Sequence, residues 1–196
     1  NISNLPMSVD TCRSKIARDA LENGVEIIND ISGLKYDAKM QEVVSEFNPS
    51  LILSAYDSKI VFGNTVTATK KLLRESLKIA KKSSIPSEKI VLDPAIGFFR
   101  KSGQDPFFTK IKSDWVKRDL SIIKNLNLIK QSYPVLVSVS NKSFLGDLLG
   151  KESPSDRLFG SVAAEAISVL NGADIIRTHN VGATKDAITI ASKLSK

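Results

Sequence analysis

The chain has 196 residues, 42% of them hydrophobic and 25% charged, a composition that predicts one globular domain over 1–196 and excludes a disordered polymer. No apolar run approaches the ~20 residues of a bilayer span, no basic-then-apolar leader opens the sequence, and the single cysteine, Cys12, excludes an internal disulfide, so a reducing, cytoplasmic setting with no membrane contact is expected. The net charge of +7 favours anionic ligands, whereas nucleic acid is not expected as a partner: aromatics are only 6% and not interleaved with the basic residues, and pairs such as Lys70-Lys71 and Lys81-Lys82 read as solvated helix faces.

In chain order, short β-type runs alternate with helical stretches. Strands are expected at 7–10, 26–31, 50–55, 89–93, 134–139 and 174–178, where Val, Ile and Leu are nearly continuous, as in a parallel sheet covered on both faces. Ile16, Ala17, Ala20, Leu21 and Asn23 mark a first helix face, and Val66, Leu73, Leu77 and Ala80 a second. A third carries Trp115, Val116, Leu120, Ile122, Ile123, Leu126 and Ile129, and a fourth Val162, Ala166, Val169 and Leu170. Such spacings make a stripe that covers a sheet. Asn23-Gly24 and Asn171-Gly172 end helices just before strands, and Ser153-Pro154 reads as an N-cap followed by proline at the first helical position.

Six strands alternating with helices admit a doubly wound sheet or a (β/α) barrel. Five of the six runs end in charged or hydrogen-bonding groups: Asp10-Thr11, Asn29-Asp30, Asp93-Pro94, Lys142-Ser143, and Arg177 with His179. Polar groups at many strand ends favour the barrel, whose active site gathers the βα loops on the strand C-terminal face. There is neither a Gly-x-Gly-x-x-Gly turn nor a Walker-type loop.

Each of these residues alone has a plain structural reading. Asp10 would cap the next helix, Asn29 would satisfy neighbouring backbone, and Asp93 would suit a turn before Pro94. Lys142 would sit at the surface, and His179 would be a satisfied imidazole two residues from Arg177 on the same strand face. Their joint occurrence at successive strand ends tilts the reading toward a pocket for an anionic small molecule, and hence an enzyme.

Ser8-Val9-Asp10-Thr11, Ile28-Asn29-Asp30-Ile31, Leu92-Asp93-Pro94-Ala95-Ile96-Gly97-Phe98, Ser140-Asn141-Lys142-Ser143-Phe144-Leu145-Gly146 and Arg177-Thr178-His179 together resemble the ordered motifs of dihydropteroate synthases. The resemblance implies a (β/α)8 TIM barrel of which this chain holds about six of the eight βα units, strands 3–8, the first two units being expected upstream of Asn1 or supplied by a partner. It implies condensation of dihydropterin hydroxymethyl diphosphate with p-aminobenzoate or a related arylamine, releasing pyrophosphate in folate biosynthesis. Asn29 and Asp93 would hydrogen-bond the pterin edge, and Lys142 would donate from the other side. Asp10 would contact the pterin and stabilise the cationic intermediate. Arg177 and His179 would bind the diphosphate, Ser143 the arylamine carboxylate, and Phe98 would pack at the pocket. Mg2+ would arrive with the diphosphate rather than on protein ligands, and a homodimer would form through the late helices.

The pattern departs from that family at three places. Leu53-Ser54-Ala55-Tyr56 stands where Met-His is usual, Asn141 replaces an arginine, and Asn180 replaces an aspartate. Two rivals share parts of the pattern. A methyltetrahydropterin methyltransferase would need Asp10, Asn29 and Asp93 but not Lys142-Ser143 or the Arg177/His179 pair, because no diphosphate leaves. A non-catalytic pterin-binding or scaffold domain fused to another enzyme is kept open by the first two units lying outside this sequence and by the altered Leu53-Ser54-Ala55-Tyr56.

Overall fold

The apolar runs do form parallel strands. The computed structural model describes residues 5–103 and 107–195. β1 (Ser8–Asp10), β2 (Ile27–Asp30), β3 (Ser50–Ser54) and β4 (Ile90–Asp93) pair in parallel in sequence order. Their register sets Asp10 beside Asn29 and Ser54 beside Asp93. A two-stranded parallel ribbon, β5 (Phe99–Arg100) and β6 (Thr109–Lys110), follows β4. Leu92 then bridges to Val135, next to β7 (Leu136–Val137), and β7 pairs with β8 (Ile175–Ile176). All six expected strands are present, and the last two regular stretches shrink to two residues each.

Helices α1 (Ser14–Glu22), α2 (Met40–Phe47), α3 (Thr65–Lys82), α4 (Trp115–Lys124), α5 (Leu126–Ile129), α6 (Ser143–Leu149), α7 (Leu158–Leu170) and α8 (Val181–Leu194) connect the strands. Asn64 caps α3 by accepting from the Thr67 N–H, and Asp114 caps α4 by accepting from Val116 and Lys117. Lys81 and Lys82 lie in the last turn of α3, where cations oppose the helix dipole. Leu51, Leu53, Leu92, Val135 and Val137 are fully buried along the strands, and Leu73, Ile122 and Leu126 meet them from the helices.

Strand order that follows the sequence, with helices between, is the wall of a (β/α) barrel and not a doubly wound sheet, whose order reverses at a switch point. Among the described residues β1 and β8 share no backbone pairing. Yet Arg177, just past β8, reaches Asp10 at the end of β1 at 2.9 Å. The wall therefore curls until its first and last strand ends meet at one rim. Among the described residues no helix is long and apolar enough to cross a membrane.

Three helix stripes differ from the expected ones, and on α4 Leu120 is exposed. On α1 the buried residues are Ser14 and Ala17, with Ile16 exposed. On α7 they are Ser161, Ala164, Glu165 and Ser168, while Phe159, Ile167 and Leu170 point outward. The stripe read from the sequence is therefore only partly right, since Val162, Ala166 and Val169 are half-buried and Leu170 is exposed. The Asn23 and Asn171 caps and the Ser153-Pro154 start stand as expected, the latter opening a 3-10 turn, Pro154–Arg157, that runs into α7.

Lys35, past β2, is tucked under α3. Its Nζ donates to the Tyr56 carbonyl at 2.6 Å and the Leu72 carbonyl at 3.0 Å. Burial lowers its pKa to about 8 from 10.5, opposed by Glu75 at 3.8 Å. The folded protein thus holds this proton less tightly than the unfolded chain, so stability rises as the pH climbs from about 8 to about 10.5. The rise is expected to reach ~3 kcal/mol and to vanish in Lys35→Met. Urea midpoints of both proteins at neutral and alkaline pH measure it, and parallel pH profiles would exclude it.

Candidate active site

Because the strands are parallel, their C-terminal ends share one rim, and the residues singled out from the sequence lie there. β2 ends in two polar residues with different fates. Asp30 is fully buried and turns back on its own loop, accepting from the Ser32 N–H and hydroxyl and from the Leu34 N–H. Asn29 faces the rim, where its Nδ2 donates to Asp10 Oδ1 at 2.8 Å. Its Oδ1 is buried with no hydrogen-bond partner. A buried acceptor left without a donor is costly unless a ligand supplies one.

Asp93 closes β4 and is buried. One of its carboxylate oxygens accepts from the Ala95 N–H at 2.7 Å. Burial pushes its pKa up, while that hydrogen bond and the nearby Lys142 cation hold it down. Lys142 lies opposite, after β7, with Nζ 3.9 Å from the centroid of the Phe98 ring. Burial pulls the pKa of Lys142 down, and Asp93 opposes the shift. Gly97 makes room for this lysine: its φ is +85°, and a Cβ there would sit 2.7 Å from Lys142 Cδ.

The loop 94–98 that carries Phe98 is clamped from α4. Arg118 is 3% exposed; its Nη1 donates to the Ala95 carbonyl and Asp119, and its Nη2 to the Pro94 carbonyl and Thr69. Asp119, fully buried, accepts from the Gly97 N–H at 3.0 Å. The clamp holds Ala95 at φ +57°, a strained value for a residue with a side chain.

The exposed part of the rim is cationic. Arg177 is exposed, and its guanidinium donates to Asp10 Oδ2. His179 is exposed too, and its backbone N–H donates to Ser140 Oγ at 3.3 Å. Ser143 opens α6 and accepts from Arg100 Nη2 at 2.7 Å. Arg100 itself lies over the Trp115 ring at 3.8 Å and stands 3.8 Å from Asp119. Among the described residues no group of three or more His, Cys, Asp or Glu side chains is placed to hold a metal ion.

Asp10, Asn29 and Arg177 are thus joined by direct hydrogen bonds, and Asp93, Phe98 and Lys142 form a second group, while Ser143 and His179 flank them. Sequence reasoning missed Arg100, Arg118 and Asp119. Arg100 follows two phenylalanines, which is a faint signal; Arg118-Asp119 on a helix carries none. The three departures find local explanations. Ser54 stands beside Asp93 in the strand register. Asn141 has φ +58°, a left-handed value that asparagine tolerates better than arginine, and Arg157 holds its carbonyl at 2.9 Å. Asn180 donates to Ser140 at 3.4 Å.

Comparison with known proteins places the chain as a whole. The model of the pterin binding enzyme family matches residues 1–179. A dihydropteroate synthase of Bacillus subtilis is 33% identical over 178 residues, covering 90% of this chain and 57% of that protein. The chain spans 57% to 64% of the length of the curated relatives it matches first. The dihydropteroate synthase of Coxiella burnetii, solved with pteroic acid, superposes with a TM-score of 0.84 at 32% identity over 99% of this chain and 70% of that one. The Xanthomonas albilineans synthase, solved with 7,8-dihydropteroate, gives 0.84 at 27% identity over 98% and 68%. Strand order, rim chemistry and these similarities agree, and the chain belongs to the pterin binding enzyme family.

Proposed function

We propose that this chain carries the pterin and diphosphate subsites of a dihydropteroate synthase within a single barrel domain. The observation that carries the reading is the charge layout of the rim, where buried Asn29 and Asp93 and half-buried Lys142 stand beside exposed Arg177 and His179, with Asp10 linking Asn29 to Arg177. Asp93 accepts the paired N–H donors of the pterin edge, Asn29 Oδ1 takes a further donor, and Lys142 donates to the ring. Arg177 and His179 bind the diphosphate, and Phe98 packs against the substrate. Ser143, linked to Arg100, meets the arylamine carboxylate. The C–O bond to the diphosphate breaks, pyrophosphate leaves with the electron pair, and Asp10 stabilises the pterin cation. The nitrogen of p-aminobenzoate or a related arylamine then forms the new C–N bond and loses a proton to solvent. Mg2+ would arrive with the diphosphate and supply charge neutralisation there beside Arg177 and His179, since this ion typically takes few protein ligands.

Pterin binding measured by calorimetry with and without pyrophosphate tests the reading. Pyrophosphate is expected to tighten pterin binding at least tenfold, ~1.4 kcal/mol, because it occupies the cationic end. Equal affinity in both conditions would sink the synthase assignment. The buried, unpaired Cys12 supports a cytoplasmic setting, which labelling in cell fractions checks. The outward Ile167, Leu170, Ile190 and Leu194 of α7 and α8 support a homodimer through these helices. Ile190→Asp with Leu170→Asp is expected to halve the sedimenting mass, and an unchanged mass would rule that surface out.

A further inference from the structure

Arg177 and His179 have little packing of their own, since both are exposed. The residue between them is anchored differently. Thr178 Oγ1 accepts from the Asn180 N–H at 3.1 Å and lies 2.9 Å from Thr184 Oγ1 on α8. Thr184 in turn donates to Glu165 Oε2 on α7 at 2.7 Å. Thr184 is 2% exposed and Glu165 0%. A hydroxyl has one proton, and a carboxylate only accepts. With Thr184 donating to Glu165, its oxygen must accept from Thr178, which leaves Thr178 to accept from Asn180. One buried carboxylate therefore sets the direction of the whole chain, from the Asn180 N–H through both threonines to α7. Glu165 does this while its second oxygen, Oε1, has no partner. An apolar side chain would avoid that cost.

We propose that Glu165 is a positioning residue for the anion end of the site: acting through Thr184 and Thr178, it fixes the 177–179 turn so that the Arg177 guanidinium and the His179 imidazole converge on one anion. This rests on the reading of Arg177 and His179 as the diphosphate ligands. Nothing in the sequence marked Glu165, which sits in the middle of a helix.

The test uses Glu165→Leu, the near-isosteric Glu165→Gln and Thr184→Val in the full-length protein. His179 is the only histidine of the sequence, so its ring resonance, assigned with His179→Gln, reports on the turn independently of activity. In Glu165→Leu and Thr184→Val that resonance is expected to shift and broaden. Pyrophosphate affinity should drop about tenfold, and pyrophosphate-free pterin affinity should stay within about twofold. Glu165→Gln, which keeps an acceptor oxygen, should recover most of both. An unperturbed His179 resonance in Glu165→Leu overturns the proposal, as does equal loss of both ligands together with a fall in melting temperature. A shifted resonance with no pyrophosphate binding even in the parent protein would uphold the positioning relay and instead remove Arg177 and His179 as anion ligands.

Discussion

Replacing Lys142 with methionine is expected to weaken pterin binding by roughly 10- to 100-fold, since a hydrogen bond from a charged donor contributes about 1.5–3 kcal/mol. The expectation follows from where the ammonium is held. It is half-buried above Phe98, its alkyl chain passes the space left by Gly97, and Asp93 is the opposite charge that acts on it most. Methionine fills that volume without the charge, so packing around Phe98 survives and the change reads the hydrogen bond rather than a cavity. Asp93 loses its neighbouring cation in the same variant, so its carboxyl pKa moves further up. The pterin affinity of the variant should therefore start to decline, as the pH is lowered, at a higher pH than that of the parent. Calorimetric titrations across pH measure both effects. Pterin binding at parental strength would remove Lys142 from the site.

Arg118→Met is expected to cost about 3–5 kcal/mol of stability, the range for removing one partner of a buried ion pair. Asp119 would stay fully buried, with the Gly97 N–H and the more distant Arg100 for compensation. The Pro94 and Ala95 carbonyls would lose their donors, and Ala95 would be freed from its left-handed backbone. The loss should appear as a lower urea midpoint at unchanged slope. Removing both charges, as Arg118→Met with Asp119→Leu, should recover part of it, because no unpaired charge is left buried. A single variant within ~1 kcal/mol of the parent would mean that the clamp does not carry the loop.

The strand ends were legible because a charge or amide that closes an apolar run is conspicuous in one dimension, and parallel strands bring such closings to one rim. Which of two adjacent polar residues serves the rim was not equally plain. Asp30 spends its carboxylate on the four residues after it, and only the loop geometry reveals this. The helices misled where the inner face is polar. α7 turns Ser161, Glu165 and Ser168 inward, so a stripe rule that assumes an apolar interior passes them over and picks the half-buried flank of Val162, Ala166 and Val169 with exposed Leu170. Arg118 and Asp119 fail the same rule: on α4 they are buried while Leu120 is 40% exposed. The β5–β6 ribbon has two residues per strand, too few for any alternating pattern.

Asp10 has two carboxylate oxygens, and both are spoken for, one by Asn29 and one by Arg177. A ligand arriving there swaps partners instead of adding them. The Arg177 contact is half-exposed on both sides, so opening it costs little, on the order of 1 kcal/mol or less. On the proposed reading, a phosphate that draws the guanidinium away frees Oδ2 for the developing positive charge, while Asn29 keeps Oδ1 in place. Capture of the anion and release of the Asp10 carboxylate are, on that same reading, one event, so a single side chain would couple the two halves of the reaction.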